Sequence, residues 1–389
     1  MKLLADKLLF FQESVIREMT RKAIENDAIN LSQGMPDFSP PKELIEGIKN
    51  AIQQEEHQYS VTYGRSDLRT KISEKLLSYN NLEHNPEDEI TITCGAGEAI
   101  ASSLMAITNP GDEIIVIEPW YENYVPLTRL AEGKPVFVQL DLNNFSLNEE
   151  TVKEKITDKT KAIIINSPHN PTGKVFTKKE LTFIADICKD ENILAVTDEI
   201  YEHILFDNSK HISLGSLEGM EDRTITISGF SKTFSITGWR VGYVATHKKL
   251  MTGIRKVHDY LTICAPSLLQ LAVLKSFELG EEYFSMLKQR YLQNRNYIVI
   301  ELQKQGFKLI PPLGAYYLFA DITPFCMNDI EFADMLVRDK GVAVVPGTSF
   351  YHKEDYSKHI GEKYVRFCFS QKFETIQEAV ERISEKIKK

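Results

Sequence analysis

The stretch Ser228-Gly-Phe-Ser-Lys-Thr-Phe-Ser-Ile-Thr-Gly-Trp-Arg-Val-Gly-Tyr243 decides how the rest of the chain is read. Lys232 stands in it between Ser231 and Thr233, without apolar periodicity of its own. It follows Arg223-Thr-Ile-Thr-Ile-Ser228, whose alternation predicts a strand running into a loop. Farther on comes Arg240, framed by Gly238 and Gly242. A lysine at a strand end attacks carbonyl carbons once it loses its proton. Arginine, serine hydroxyls and glycine-loosened backbone together suit a phosphate group. An amine anchor beside a phosphate cup is what pyridoxal phosphate requires. Taken alone, the stretch also allows a surface lysine and a surface arginine flanking a flexible loop.

Working outward, Asn192-Ile-Leu-Ala-Val-Thr197 predicts an apolar strand that delivers Asp198, with Tyr201 on the following turn. A carboxylate at the mouth of a buried strand is costly without a partner. A protonated pyridine nitrogen would be one, and the pairing keeps the ring an electron sink; helix capping is the ordinary role of a lone Asp. Lys161–Asn166 predicts another strand, leading into Ser167-Pro-His-Asn-Pro-Thr-Gly-Lys174. Asn170 is rigidly placed there between His169 and Pro171, its amide available to a phenolate oxygen, although turn formation alone explains the Pro and Gly. Glu113–Glu118 predicts a buried strand followed by Pro119-Trp-Tyr-Glu-Asn-Tyr124, so that Trp120 or Tyr121 can stack on a flat ring. Core packing explains either aromatic singly.

Glu89–Thr93 predicts a strand, Cys94-Gly-Ala-Gly97 a tight turn and Glu98–Ile107 a helix. Free amides and the positive end of a helix dipole suit a phosphate there. The same segment half-matches a dinucleotide fingerprint: Gly95 and Gly97 follow a strand, and Glu118 ends the next one, but Ile100 stands where a third small residue belongs. An oxidoreductase is therefore the competing function, and it leaves Lys232, Arg240 and Asp198 unexplained. Gly173-Lys174 is no P-loop, because Pro168 occupies the earlier glycine position.

Gly95-Ala96-Gly97, Tyr121, Asn170-Pro171, Asp198 with Tyr201, Ser231-Lys232 and Arg240 occur in the order in which the chain resembles the class I/II aminotransferases, the fold type I pyridoxal-phosphate enzymes. The resemblance extends from about Leu31 to Ser370. It implies an α/β fold with a large domain, residues 46–280, built on a mostly parallel seven-stranded sheet. A smaller α/β domain would combine residues 1–45 and 281–389. It implies Lys232, Asp198 and Tyr201 as catalytic residues. Gly95, Ala96, Gly97, Ser231 and Arg240 would hold the cofactor phosphate, Tyr121 would stack on the ring, and Asn170 with Tyr201 would reach its oxygen. Gly34, Asn170 and Arg366 would take the substrate carboxylate. Homodimers with shared active sites are also implied, Tyr59 (with Tyr63 as its near double) reaching the other subunit's phosphate. Arg366 stands out without the resemblance: an arginine inside the apolar Tyr364-Val-Arg-Phe-Cys-Phe369 requires an anion, either a bidentate carboxylate or a structural salt bridge.

Composition fits this frame. A chain of 389 residues suggests two domains, and 42% apolar with 26% charged residues is ordinary for a globular protein. A net charge of −9 with no basic block argues against nucleic acid as a partner. Five scattered cysteines form neither a disulfide framework nor a metal-ligand spacing, which points to a reducing, cytoplasmic setting. The charged N-terminus is unlike a signal peptide, and no run is long enough to span a membrane. Helices are expected over residues 9–27, 41–54 and, as one long region, 250–303, with a closing amphipathic helix ending in Lys388-Lys389. Short strands are expected at 307–310, 315–319, 342–345 and 364–369.

The resemblance implies transfer of an amino group from an L-amino acid to a 2-oxo acid such as 2-oxoglutarate. A broad neutral or aromatic donor is expected, because Gln33-Gly-Met-Pro-Asp-Phe38 and Cys94-Gly-Ala-Gly97 are similar to the broad-specificity members. Phe38, Trp120, Tyr121, Tyr260 and Tyr316 would form an aromatic pocket. Gly97 stands where some aspartate-specific relatives carry a lysine, with Arg255, Lys256 and His258 as nearby cations. Aspartate aminotransferase and a cysteine or cystathionine-type β-lyase on the same scaffold are the alternatives.

Overall fold

A computed structural model of the chain describes residues 4–10, 13–54, 57–352 and 360–384. The N-terminal part forms helix α1 (Val15–Glu25) and the two-residue strand β1 (Ile29–Asn30). The helix expected from residue 9 starts later, because Ser14 caps it: its Oγ accepts from Arg17 N at 3.3 Å, satisfying a first-turn amide. Asp6–Phe10 is a separate 3-10 turn, and residues 11–12 lie outside the described ones. Helices α2 (Lys42–Gln53) and α3 (Ser66–Lys75) follow the loop through Gly34.

Then come β2 (Ile90–Thr93), α4 (Ala96–Ile107), β3 (Glu113–Glu118), α5 (Tyr124–Leu130), β4 (Lys134–Gln139), α6 (Glu149–Glu154) and β5 (Thr160–Asn166). The series continues with α7 (Lys178–Asp190), β6 (Leu194–Asp198), β7 (Thr224–Gly229) and β8 (Gly242–Ala245). These strands form a seven-stranded sheet in the order β2-β8-β7-β6-β5-β3-β4. Neighbours from β4 to β7 are parallel, and only β8 runs antiparallel to both of its neighbours. Continuous apolar runs make such strands, because helices cover both faces. Alternate residues of β3 show this: Ile114 and Val116 pack with Ile100 and Leu104 of α4, while Ile115 and Ile117 pack with Ile184 and Cys188 of α7.

The strand order removes the dinucleotide reading. β2 is an edge strand and β3 lies five places away, so Gly95 and Gly97 do not open a unit of adjacent parallel strands. Glu118, the would-be ribose ligand, is buried and accepts from His352 N and Nδ1, both at 2.7 Å.

The rest of the chain forms α8 (Lys248–Thr262), α9 (Ser267–Leu274) and α10 (Glu281–Lys304). The long helical region is thus interrupted, first where Ile263 takes a left-handed φ of 65° ahead of Pro266. Strands β9 (Lys308–Leu309) and β10 (Tyr317–Asp321), helix α11 (Asp329–Lys340), strands β11 (Val342–Ala343), β12 (Val345–Pro346) and β13 (Tyr364–Cys368), and helix α12 (Phe373–Ser384) complete it. The strand expected at 342–345 is divided between two sheets. β12-β13-β10-β9 is antiparallel, while β11 pairs in parallel with β1 and ties the two chain ends together. Tyr291, Ile298 and Leu302 of α10 pack with Leu318, Phe367 and Ile376 in this second core. Residue 46 falls inside α2 and Gly280 caps α10; Lys388 and Lys389 lie outside the described residues. No described helix is long and apolar enough to cross a membrane.

Candidate active site

Loops that follow the carboxyl ends of parallel strands share one edge of a sheet. Those after β2, β3, β5, β6 and β7 bring Ala96 and Gly97, Tyr121, Asn170, Asp198 with Tyr201, and Ser231 with Lys232 to one cavity of about 520 Å³. Gly34 and Arg240 also line it. Asn166, which neither composition nor spacing marked, locks two of these loops: its Nδ2 donates to the Asp198 carbonyl at 2.8 Å and its Oδ1 accepts from Asn170 N at 2.7 Å. Gly95 supports the wall from behind with φ 80° and ψ 169°. A Cβ there would lie 2.5 Å from Arg240 Nη2. Arg240 is held by donating to the Cys94 carbonyl at 3.2 Å and the Thr237 carbonyl at 3.0 Å. The first-turn amides of α4 have no partner within the helix and carry its positive end.

Lys232 Nζ donates to the Gly34 carbonyl at 3.2 Å, and burial pushes its amine down to about 8. Asp198 is 3% exposed, and burial pushes its carboxyl up to about 6. Tyr124 Oη (2.8 Å) and Ile200 N (3.2 Å) donate to it, and no cation pairs with it among the described residues. Tyr124 was missed in the sequence although it ends the aromatic run already noted. Tyr201 Oη is 3.1 Å from Tyr317 Oη, and Tyr317 also forms part of the wall. Gly34 is obligatory beneath it: a Cβ at that position would come within 2.0 Å of Tyr317 Oη.

Residues 26–383 match the family model for aminotransferases of class I and II. The chain belongs to the class I and II aminotransferases. The enzyme is 36% identical to aspartate aminotransferase of Pyrococcus abyssi, over 98% of this chain and 97% of that one. It is 34% identical to kynurenine–oxoglutarate transaminase 1 of Mus musculus, over 94% and 93%. The solved structure of N-succinyldiaminopimelate aminotransferase from Mycobacterium tuberculosis superposes with a TM-score of 0.94 at 34% identity, over 98% and 99%. The fold is that of the fold type I aminotransferases, and membership of this family implies dependence on pyridoxal phosphate.

Packing distinguishes between the alternatives that the sequence left open for the aminotransferase. Trp120 faces the core, stacked on Phe137 at 4.9 Å, while its neighbour Tyr121 faces the cavity. Tyr63 is held between Arg255 and Arg69, whose guanidiniums lie 4.0 and 4.8 Å from its ring centre. Tyr59 is 76% exposed and lies away from this chain's own cavity. The aromatic pocket does not form as expected. Of its members only Tyr121 lines the cavity; Phe38 lies under Arg290, Tyr316 is buried and Tyr260 is 92% exposed. Apolar side chains of Ile16 and Met35 line it instead. The cations near Tyr260 are absent from the cavity wall, since Arg255 is bound to Thr91 and the Glu87 and Ile90 carbonyls, His258 is bound to Glu98, and Lys256 is exposed. Arg366 lies one hydrogen bond behind the wall, fully buried. Its Nη1 donates to Asn170 Oδ1 at 2.8 Å and its Nη2 to the Ser32 carbonyl, Nε has no partner, and it makes no ion pair among the described residues. The alternative of a structural salt bridge is therefore not realised there.

Proposed function

We propose that this cavity holds pyridoxal 5'-phosphate on Lys232 and transfers amino groups from a broad range of neutral and aromatic L-amino acids to 2-oxo acids such as 2-oxoglutarate. The residues fit the cofactor. A buried carboxylate in no ion pair among the described residues suits a protonated ring nitrogen, and Gly95 leaves beside Arg240 the space a Cβ would fill. Ser231, Arg240 and the amides of Ala96 and Gly97 would hold the phosphate, Tyr121 would cover the ring, and Asn170 and Tyr201 would reach its oxygen. When bound, the cofactor supplies the electron sink that acidifies the substrate α-carbon. The observation that carries the reading is the meeting of Lys232, its amine depressed by burial, with the unpaired Asp198 in one cavity.

With the cofactor bound, Lys232 would hold it until the substrate amine takes its place and would then serve as the base. It would take the α-proton and deliver it, past the intervening nitrogen, to the ring-side carbon. Asp198, fixed by Tyr124 and Ile200 N, would supply the negative charge that holds a proton on the ring nitrogen. Arg366, oriented through Asn170, attracts the α-carboxylate, with Gly34 beside it. Tyr59, exposed beside Arg65 and Ser267, would reach the phosphate of a second copy in a homodimer. Five free cysteines accord with a cytoplasmic setting.

Aspartate as donor is the second reading, favoured by the relative from Pyrococcus abyssi. Single L-amino acids are added to the loaded enzyme without acceptor while the near-visible spectrum is followed. Conversion to the amino form of the cofactor with neutral and aromatic donors supports the proposal, and conversion with aspartate alone supports the second. Release of pyruvate and ammonia without conversion would make the protein a β-lyase, and no cofactor band at all would refute the reading.

A further inference from the structure

We infer that Arg17 binds the distal carboxylate of a dicarboxylic 2-oxo acid acceptor, an inference that rests on the aminotransferase reading of the cavity. Among the described residues three cationic side chains line the cavity: Lys232, Arg240 and Arg17. The first is the amine that reacts and the second serves the phosphate, while Arg366 behind the wall serves the α-carboxylate. A diacid such as 2-oxoglutarate brings a second carboxylate, whose desolvation is costly without a cation. Among the described residues of this chain Arg17 remains for it.

The local structure holds Arg17 at the rim and leaves its guanidinium uncommitted. Glu122, beside Tyr121, accepts from Ser14 Oγ at 2.6 Å and from Ile16 N at 3.1 Å. The first turn of α1 is thereby fastened to the loop after β3, and Arg17 is the next residue of that turn. Both oxygens of Glu122 accept hydrogen bonds at the positive end of α1, which favours its negative charge there. Glu13 is taken by Arg21 at 2.6 Å and Glu18 by Lys22 at 3.0 Å. Arg17 exerts a through-space pull on Glu13, yet donates no side-chain hydrogen bond and makes no ion pair among the described residues. An exposed planar fork without a partner among the described residues, at the edge of a cavity that must admit a diacid, fits a carboxylate. Asn123, 3.9 Å from where a Cβ on Gly97 would lie, adds an amide at the same wall.

The test compares acceptors on the loaded enzyme in its amino form. In Arg17→Gln the ratio of kcat/KM for 2-oxoglutarate to kcat/KM for pyruvate falls about tenfold, the loss expected for one charge-assisted hydrogen bond at a solvated rim. Arg17→Lys recovers part of the ratio. Glutarate, an unreactive diacid, inhibits the wild type more strongly than Arg17→Gln, whereas butyrate inhibits both alike. A ratio unchanged in Arg17→Gln overturns the inference and leaves the aminotransferase reading standing; equal losses with both acceptors make Arg17 structural and overturn it likewise. A wild-type protein that transfers amino groups to neither acceptor refutes the underlying reading as well.

Discussion

Replacing Asp198 by asparagine separates the two properties that the cavity combines. The carboxyl titrates near 6 in the folded chain against 3.8 as the reference value. A rise of about two on the pH scale corresponds to about 3 kcal/mol. The direction follows from proton linkage: between pH 3.8 and 6 the folded form binds more protons than the unfolded one, so this group lowers stability as pH rises, fully so above 6. The amide of Asp198→Asn is neutral at every pH and escapes that penalty. Its Oδ1 can keep the Ile200 amide while its Nδ2 donates to the Tyr124 hydroxyl, the same pattern of one donor and one acceptor that the protonated carboxyl offers. Without cofactor, the variant is therefore more stable than the wild type by about 3 kcal/mol at pH 8, and the difference shrinks to less than about 1 kcal/mol near pH 4. Urea unfolding from pH 4 to 8 reads this growing difference directly. With pyridoxal phosphate present the order at pH 8 reverses, since only the carboxylate can pair with a protonated ring nitrogen, and turnover falls in the variant. A constant difference between the two proteins at every pH would refute the buried, unpaired carboxylate.

Three further outcomes follow from the same wall. Covalent capture of pyridoxal phosphate by the cofactor-free protein accelerates as pH rises towards about 8 and then levels off, because the Lys232 amine must be neutral; Lys232→Ala shows neither capture nor turnover, and full activity in it would sink the mechanism. Arg366→Lys keeps the charge but loses the fork, and KM for amino acids rises about tenfold with a smaller change in kcat; an unchanged KM removes Arg366 from the substrate. Gly95→Ala forces a side chain onto backbone that only glycine adopts readily, at about 1–3 kcal/mol, and pushes against Arg240 Nη2. Loss of cofactor on dialysis is faster in it, and equal retention would contradict the cup.

The legible part of this protein lay in local patterns. Short apolar runs such as Ile114–Ile117 and Ile163–Ile165, rich in β-branched residues, read as strands buried on both faces, and both are buried. Reactive residues at their carboxyl ends, Asp198 and Lys232 among them, could be picked out because ionisable groups are expensive at such places. The order of motifs added the family and the roles that the resemblance implies. Boundaries were less legible: a serine cap moved the start of α1, and the break at Ile263 carried no glycine or proline at the residue itself.

What only the tertiary structure decided was direction. Trp120 and Tyr121 are adjacent and equally aromatic, yet one faces the core and the other the cavity, because neighbouring side chains after a strand diverge. Arg255 and Arg17 are equally basic in sequence; packing binds the first to three oxygen atoms and leaves the second at the rim. The half-match to a dinucleotide site failed for the same kind of reason, since adjacency of β2 and β3 in sequence is not adjacency in the sheet. The amino-acid sequence specified which groups the chain carries and which segments bury them, through short-range preferences and the cost of hydrating apolar surface. Which of those groups share a cavity depends on strand order and long-range packing, and these are settled only when the whole chain closes on itself.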